Sequence, residues 1–574
     1  MFAECGGLLA VVLLPLMFIT PIVSQGTPVL STEGREFLVY PSRVDDLWDR
    51  VNLYITTHAT RNIMVRVTTP VLPVAYGGVD HTFAVSVDQP RVQEIKTRGT
   101  NAARGKLMDA IRVEAEEDIA VFVNNPSDNA TGVTSILSRA SLGNDYLFPS
   151  IQRTFNGQVS ICVGNLETVN TVWVTLPSRS NQGGPLLDYK GTVYWPGDTI
   201  TIRLTSFEFA DIRDVTSTAD LTGTVIRSET PVSVFSAAVF HKTISSADSK
   251  DIVIENIPPK RAWGKKFVVT ASPSATPGDS IRVLGKERDV SLEFSFGDRD
   301  VIQEPGQFLE KVVAPGTSFT ITADKPVEVV QYRYSFTEDS APFMFLVPHL
   351  ESYGKEFTVP IIFNEEYVIG SQNYIVLITH ACHADRVTIR HRHAPQEKKY
   401  VSRLSSWEPV GDGSYVTTQI KVTEGFVTIA MEPSVDPLED ELVVVGGYFF
   451  GQGPQKAYAA PLGLHVQDVN PVFSFSLPVD RLRNAPKKEP IVDGHSKLVA
   501  RGKLPLAFSL DAREVKSRVA CHRECWTMPN CLYVAYSKAR NADSSDCRLF
   551  GPTAQCSGLK DSPGFLLYKL SKYG

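Results

Sequence analysis

Cysteine is scarce over most of this chain. Of eight cysteines in 574 residues, only Cys162 and Cys382 lie between Gly6 and Ala520, so that stretch must hold itself together by burial, with at most one internal bridge. An excess of charge of one sign is also missing. Lys and Arg number 57 against 63 Asp and Glu, the formal charge is −6, and no basic run or stripe occurs. A phosphate-tracking surface therefore has no electrostatic footing, and nucleic acid is excluded as a partner class. Long apolar runs are absent after the first residues: "ELVVVGGYFF" is too short to span a bilayer, and "GFLLYKLSKYG" carries lysines where a lipid-anchor signal needs an apolar tail. Helical periodicity is rare. There is no zincin helix, no G-x-S-x-G elbow and no EF-hand loop, and "GGYFFGQG" from Gly446 lacks the Lys-Ser/Thr pair of a phosphate-binding loop. No cofactor is expected, and no enzyme class is favoured.

What is present is an ordinary folded composition, 43% apolar and 21% charged, in a chain long enough for about four units at roughly 150 residues each. The apolar stretch from Gly7 to Val23, broken by Pro15 and Pro21 and followed by small residues, reads as a secretory signal peptide over 1–25. It carries Glu4 where a Lys or Arg is usual, and an uncleaved membrane anchor is the alternative. Secretion makes the protein extracellular and disulfide-permissive, and "NAT" at Asn129 is then a glycosylation acceptor.

Repetition supplies the architecture. "TPVSVFSA" returns as "KPVEVVQY", and "EDIAVFVNN" has the same pattern with Asp118 where the others have Pro231 and Pro326. "EDELVVVGGYF" is a looser fourth copy, which sets Glu441 at the equivalent place. The copies recur at about a hundred residues, the size of one β-sandwich. The proline is expected at the first strand position, where its missing N–H costs least. A second landmark, Gly-x-x-Phe followed by apolar alternation, occurs as "GREFLVYP" from Gly34, "GKKFVVTA" from Gly264 and "GKEFTVPI" from Gly354, with "GNDYLFPS" from Gly143 as the nearest match in the remaining unit. Between landmarks, segments such as "NIMVRVTTP", "TVWVTLPS", "DTITIRLTSF" and "GFVTIAM" alternate Val, Ile and Thr with polar residues, and turn residues punctuate them. The expected fold is all-β: tandem antiparallel β-sandwich-like modules over 31–140, 141–257, 258–347 and 348–466, forming a rigid arm.

The ordered set "EGREFLVYP", "VNLYITT", "LTGTVIRSETPVSVFSA", "IENIPPKRAWGKKFVV", "TITADKPVEVVQY" and "VVGGYFFGQGPQKAYAAPLG" resembles the IgGFc-binding protein N-terminal domain family over most of Gly34 to Gly463. The resemblance implies an extracellular binding role, mucus- or defence-associated, without a catalytic set. It assigns no contact residue to a particular position.

Beyond residue 466 the pattern stops. Residues 467–493 combine prolines with a basic cluster and read as an exposed linker. The remaining five cysteines, Cys521, Cys525, Cys531, Cys547 and Cys556, crowd into a small unit over 494–574. Ser517 can cap a helix that Pro529 ends, Cys521 and Cys525 share one face of it, and "CLYVAYS" and "CRLF" read as strands. Zinc is the rival use of these thiols, but a secreted context and only His522 beside them favour disulfides. The segment resembles a small disulfide-bonded α+β PAN/apple-like domain, and the resemblance implies bridges from Cys521 to Cys547 and from Cys525 to Cys531, with protein or carbohydrate ligands. Cys556 is left over for a body cysteine, a free thiol or another chain, which leaves an oligomer open. Cys162 and Cys382 read as buried small hydrophobes or as a bridge to each other.

One cluster in the body has metal-ligand residue types: His380, Cys382, His383, His391 and His393, with His391 and His393 on one strand face. The plainer reading is an exposed strand edge. "SADSKD" near Asp248 and "DPLED" near Asp440 read as acidic turns with a weak calcium alternative. Three functions follow: a secreted recognition or adhesion protein binding protein or carbohydrate, with exposed aromatics such as Trp526 as contacts; a structural matrix or mucus component linked through Cys556; and a metal-dependent hydrolase using the His391 region. The first is favoured.

Overall fold

The computed structural model describes residues 30–466, with breaks at 42–49, 97–105, 108–109, 128–129, 151–155, 179–186, 215–219, 245–246, 274–277, 334–340, 364–370, 393–399, 404–405, 434–442 and 454–455, and beyond them five strands between 496 and 570. Among the described residues the only helices are short 3-10 turns, and the rest of the regular structure is strand, paired into antiparallel sheets. The all-β expectation holds.

Each of four successive bodies is built around one long strand, here called its spine: Ile111–Ser127, Thr224–Ile244, Ser318–Arg333 and, in two pieces, Gly425–Met431 with Val445–Gly453. The first half of a spine pairs with an opening strand (Glu33–Val39, Gly143–Phe148, Gly264–Thr270, Glu356–Ile361) on one side and a further strand on the other. The second half changes partners, pairing with a different inner strand and with a closing strand: Ala130–Ser135, Ala247–Ile257, Phe343–Leu346 or Lys456–Pro461. A spine is thus shared by both layers of its sandwich and bends where it passes from one to the other.

That bend relocates the prolines. In the second body, pairing to the outer layer ends at Ser228 and pairing to the inner strand begins at Val232; in the third the corresponding residues are Ala323 and Val327. Pro231 and Pro326 stand in the corner between, inside a continuous strand rather than at its start. A missing N–H is harmless there because neither ladder needs it. The fourth equivalence also shifts. Gly34, Gly143, Gly264 and Gly354 pair with Ile119, Val232, Val327 and Val445. The residue matching Pro231 is therefore Val444, whereas Glu441 lies outside the described residues.

The four bodies do not extend as an arm. Their closing strands pack side by side around one axis, the first against the second and fourth, the third against the same two. Leu30 and Ser31 pair with Val466 and His465, so the ends of this region meet and close a ring. A secreted arm was the expectation. A ring results because each closing strand is buried on both faces, through Val133 and Thr134 in the first and through Ile254, Phe345 and Ala459 with their neighbours in the others, and only the neighbouring bodies are there to cover the second face.

Glycine marks each joint for a steric reason. A Cβ on Gly34 would lie 2.5 Å from Cβ of Ser138, on Gly143 2.5 Å from Cβ of Pro259, and on Gly354 2.6 Å from Cδ2 of His465; on Gly264 it would meet the His349 side chain. Ser138, Pro259 and His349 stand at the start of the next body and His465 on the exit strand that pairs with Ser31, so the chain has only backbone thickness to spare at every joint. Three residues on, Phe37, Tyr146, Phe267 and Phe357 are all buried. Tyr146 takes the Phe position and uses its hydroxyl, which accepts from the Gly143 N–H at 2.8 Å and donates to the Val232 carbonyl at 2.5 Å. "GNDYLFPS" is thus the full structural counterpart of the other three copies.

Substituting Gly143→Ala is expected to lower unfolding free energy by about 1–3 kcal/mol, the usual cost of overpacking a filled site. Chemical denaturation of the purified chain measures it, and an unchanged midpoint would remove the steric account of the joint.

Candidate binding surface

A cavity lined by Trp263, Phe267, Val329, Leu346, His349 and Leu464 measures ≈ 30 Å³, room for about one water. Glu328 borders it, and burial pushes its carboxyl well above the usual carboxylate range. Glu255 behaves alike: burial raises it, opposed by Thr134 of the first body and the Leu346 backbone of the third, with Glu328 adding to the rise. Burial favours the uncharged form of both, which is how two carboxyls coexist in an apolar hub.

Charged residues at the joints are paired rather than exposed. Between the second and third bodies Arg282, 1% exposed, donates to Asp220 at 2.9 Å, Glu310 at 3.1 Å and the Ser150 carbonyl at 2.8 Å, and its guanidinium lies 4.5 Å from the Phe308 ring centre. Between the third and fourth, Arg333 faces Asp279 at 3.7 Å and donates to Gln452 at 3.1 Å. Between the first and second, the Tyr40 hydroxyl donates to Asp211 at 3.2 Å, and Asp211 is held by Arg213 at 2.7 Å. These side chains have structural employment, which leaves the outer surface for recognition.

The seam between the fourth and first bodies carries two histidines, His58 and His465. His58 Nε2 lies 2.8 Å from Glu33, its Nδ1 3.6 Å from Glu356, and His465 Nδ1 is 3.3 Å from the Ser31 hydroxyl. Burial alone would lower the His58 pKa, but hydrogen bonds to Glu33 and Glu356 outweigh it and push it up to about 10. Burial lowers that of His465, with Glu33 opposing and His58 reinforcing.

On the outside, the outer layer of the second body presents a flat face. Strand Val169–Thr175 alternates so that Asn170, Val172 and Val174 point inward and Trp173 outward; Thr199–Thr205 turns Ile200, Ile202 and Leu204 inward and Thr201 and Arg203 outward. Register lines up Thr201, Trp173, Arg227 and Asp145 across four strands. Trp173 is 37% exposed there, an unusual place to leave an indole. At the end of the same strands, the turn before Thr199 carries Trp195, 51% exposed, with its backbone N–H donating to the Asp198 carboxylate at 2.8 Å. Trp173 was readable from "TVWVTLP", since period two puts it opposite Val172 and Val174. Sequence reasoning looked instead to Trp526.

The other expected residues are dispersed. Cys521, Cys525, Cys531, Cys547, Cys556, Trp526, Asn129, His393 and the side chains of "SADSKD" and "DPLED" lie outside the described residues. Cys162 is a buried free thiol, and Cys382 is disulfide-bonded, so the two are not bridged to each other, and Cys382 is no metal ligand. His380 ends strand Gln372–His380, His383 is buried in the 3-10 turn Ala381–Arg386, and His391 lies toward the far end of Val387–Arg392. The His380 and His383 rings lie 5.7 Å apart, but four residues of strand from Val387 to His391 span about 13 Å and carry His391 away from that turn, and no group placed to hold a metal occurs among the described residues. In "GGYFFGQG", Gly446 and Gly451 lie against the rings of Tyr353 and Tyr458, which explains the glycines by packing.

A family model described as IgGFc binding protein matches residues 132–438, from the closing strand of the first body into the fourth. No curated protein matches the chain.

The seam gives a pH dependence of defined sign. His58, raised in the fold from an ordinary value near 6.5, contributes stability that is full below about pH 6.5 and is lost as pH rises through about 10. His465, lowered, contributes stability that is lost as pH falls below its ordinary value. His58→Gln is expected to flatten the fall in melting temperature between pH 7 and 10. A variant that keeps the wild-type slope would remove His58 as its source.

Proposed function

Because the chain belongs to the IgGFc-binding protein family, a non-enzymatic binding family, we propose that it is a secreted recognition protein that binds an extracellular protein or carbohydrate ligand on the outer face of its second body. The single observation that carries this is Trp173, left in solvent at the middle of a paired sheet between Thr201 and Arg227. A lone indole framed by hydroxyls and a guanidinium offers apolar area, stacking and hydrogen bonds together, the makeup of an interface anchor. The face lies within the matched residues. Immunoglobulin Fc is the first ligand to test, by virtue of the family's description.

The same reading takes 1–25 as a signal peptide, Asn129 as glycosylated, 31–466 as four modules and 494–574 as a PAN/apple-like domain with Cys521–Cys547 and Cys525–Cys531 bridges after a linker at 467–493. In support of the last, strands Tyr533–Lys538 and Ser545–Phe550 fall on "CLYVAYS" and "CRLF", in a five-stranded antiparallel sheet. Among the described residues no helix is long and apolar enough to cross a membrane.

Capture of the full-length protein by immobilised Fc, other extracellular proteins and glycans tests the proposal. For the ligand captured, Trp173→Ala is expected to bind about 30-fold more weakly, the effect of losing about 2 kcal/mol at an anchor, with an unchanged melting temperature. Equal capture by the variant would remove this face as the site.

A further inference from the structure

Cys382 sits in the 3-10 turn Ala381–Arg386, at a corner of the fourth body where strand Gln372–His380 ends. It is disulfide-bonded, while the other cysteine of the ring, Cys162, is a free thiol sealed in the core. The chain contains six further cysteines: Cys5 and the five from Cys521 to Cys556. Cys5 falls in the segment read as a signal peptide. The PAN/apple-like reading uses Cys521 with Cys547 and Cys525 with Cys531, which leaves one thiol. We propose that Cys382 is bridged to Cys556, fastening the C-terminal cysteine-rich segment covalently to the outer corner of the fourth body; the choice of Cys556 rests on that reading, whereas the bonded state of Cys382 does not.

The chemistry is a two-electron oxidation. Two thiols become one disulfide, and their two electrons and two protons pass to a disulfide donor of the thiol–disulfide oxidoreductase class, which is left as a dithiol. The corner suits the exchange. Cys382 is only half-buried, and His380 Nδ1 lies 3.0 Å from its sulfur, where a ring proton stabilises the thiolate that attacks or leaves. The His380 ring is itself held edge-on by Tyr415 at 5.4 Å. The bridge adds a covalent attachment to the chain connection through residues 467–493, so the two parts of the molecule stay together even when that basic, proline-bearing stretch is cut.

Peptide mapping of the full chain secreted by cells, alkylated and digested without reduction, tests this. The expected product joins the Cys382 peptide to the Cys556 peptide; in parallel, trypsin cleavage in the linker leaves one band without reductant and two with it, and Cys556→Ser gives two bands in both. Cys382 joined to Cys521, Cys525, Cys531 or Cys547 overturns the inference together with the PAN/apple-like pairing. A free Cys382, or one joined to a second chain, overturns the inference alone. Cys382 joined to Cys556, with the other four paired differently, upholds it and removes the PAN/apple-like pairing.

Discussion

Close approach of backbones at four joints is the constraint from which the rest of the architecture follows. A sandwich of about a hundred residues cannot by itself bury a closing strand on both faces, so each leans on its neighbours. The glycines at 34, 143 and 264 let the next body's first residues, and Gly354 lets His465 of the exit strand, come within a Cβ's width of the opening strand. With that spacing, four closing strands reach a common axis and the fourth body returns to the first. Larger residues at those positions would hold the bodies apart and leave four half-covered sheets.

The polar groups at the joints decide which neighbour fits rather than how tightly the whole is held. A buried ion pair seldom outweighs the desolvation of its members, but leaving one member without its partner is severe. Arg282 reaches Asp220 and Ser150 of the body before it as well as Glu310 of its own, and Arg333 reaches Gln452 of the body after beside Asp279 of its own. Each joint carries a different lock, and a body placed out of order would bury an unmatched charge. Four similar sandwiches therefore assemble in one sequence only.

Much of the fold was legible because strand periodicity is local. "TITIRLT" and "NIMVRVT" expose every second residue, as the alternation requires. The Gly-x-x-Phe landmark was legible too, although Tyr146 disguised one copy. What escaped was set by contacts distant in sequence. Pro231 and Pro326 looked like strand starts because a chain-local rule cannot see that a strand changes partners at a corner. Ring closure depends on Leu30 meeting Val466, two residues each, with no signature of their own. The histidine cluster misled for the opposite reason: residues near in sequence were spread along two strands and a turn. Trp173 could have been found from its place between two inward valines.

The pairing of Leu30 and Ser31 with Val466 and His465 is antiparallel, so the chain enters and leaves the ring at the same end of that short ladder. Tension applied through the two ends would load its hydrogen bonds one after another, as in opening a zip, and not all at once in shear. The closure would yield at low force and the remaining sandwiches would be loaded only afterwards, giving a bead that first gapes and then resists when pulled along a fibre or away from a surface.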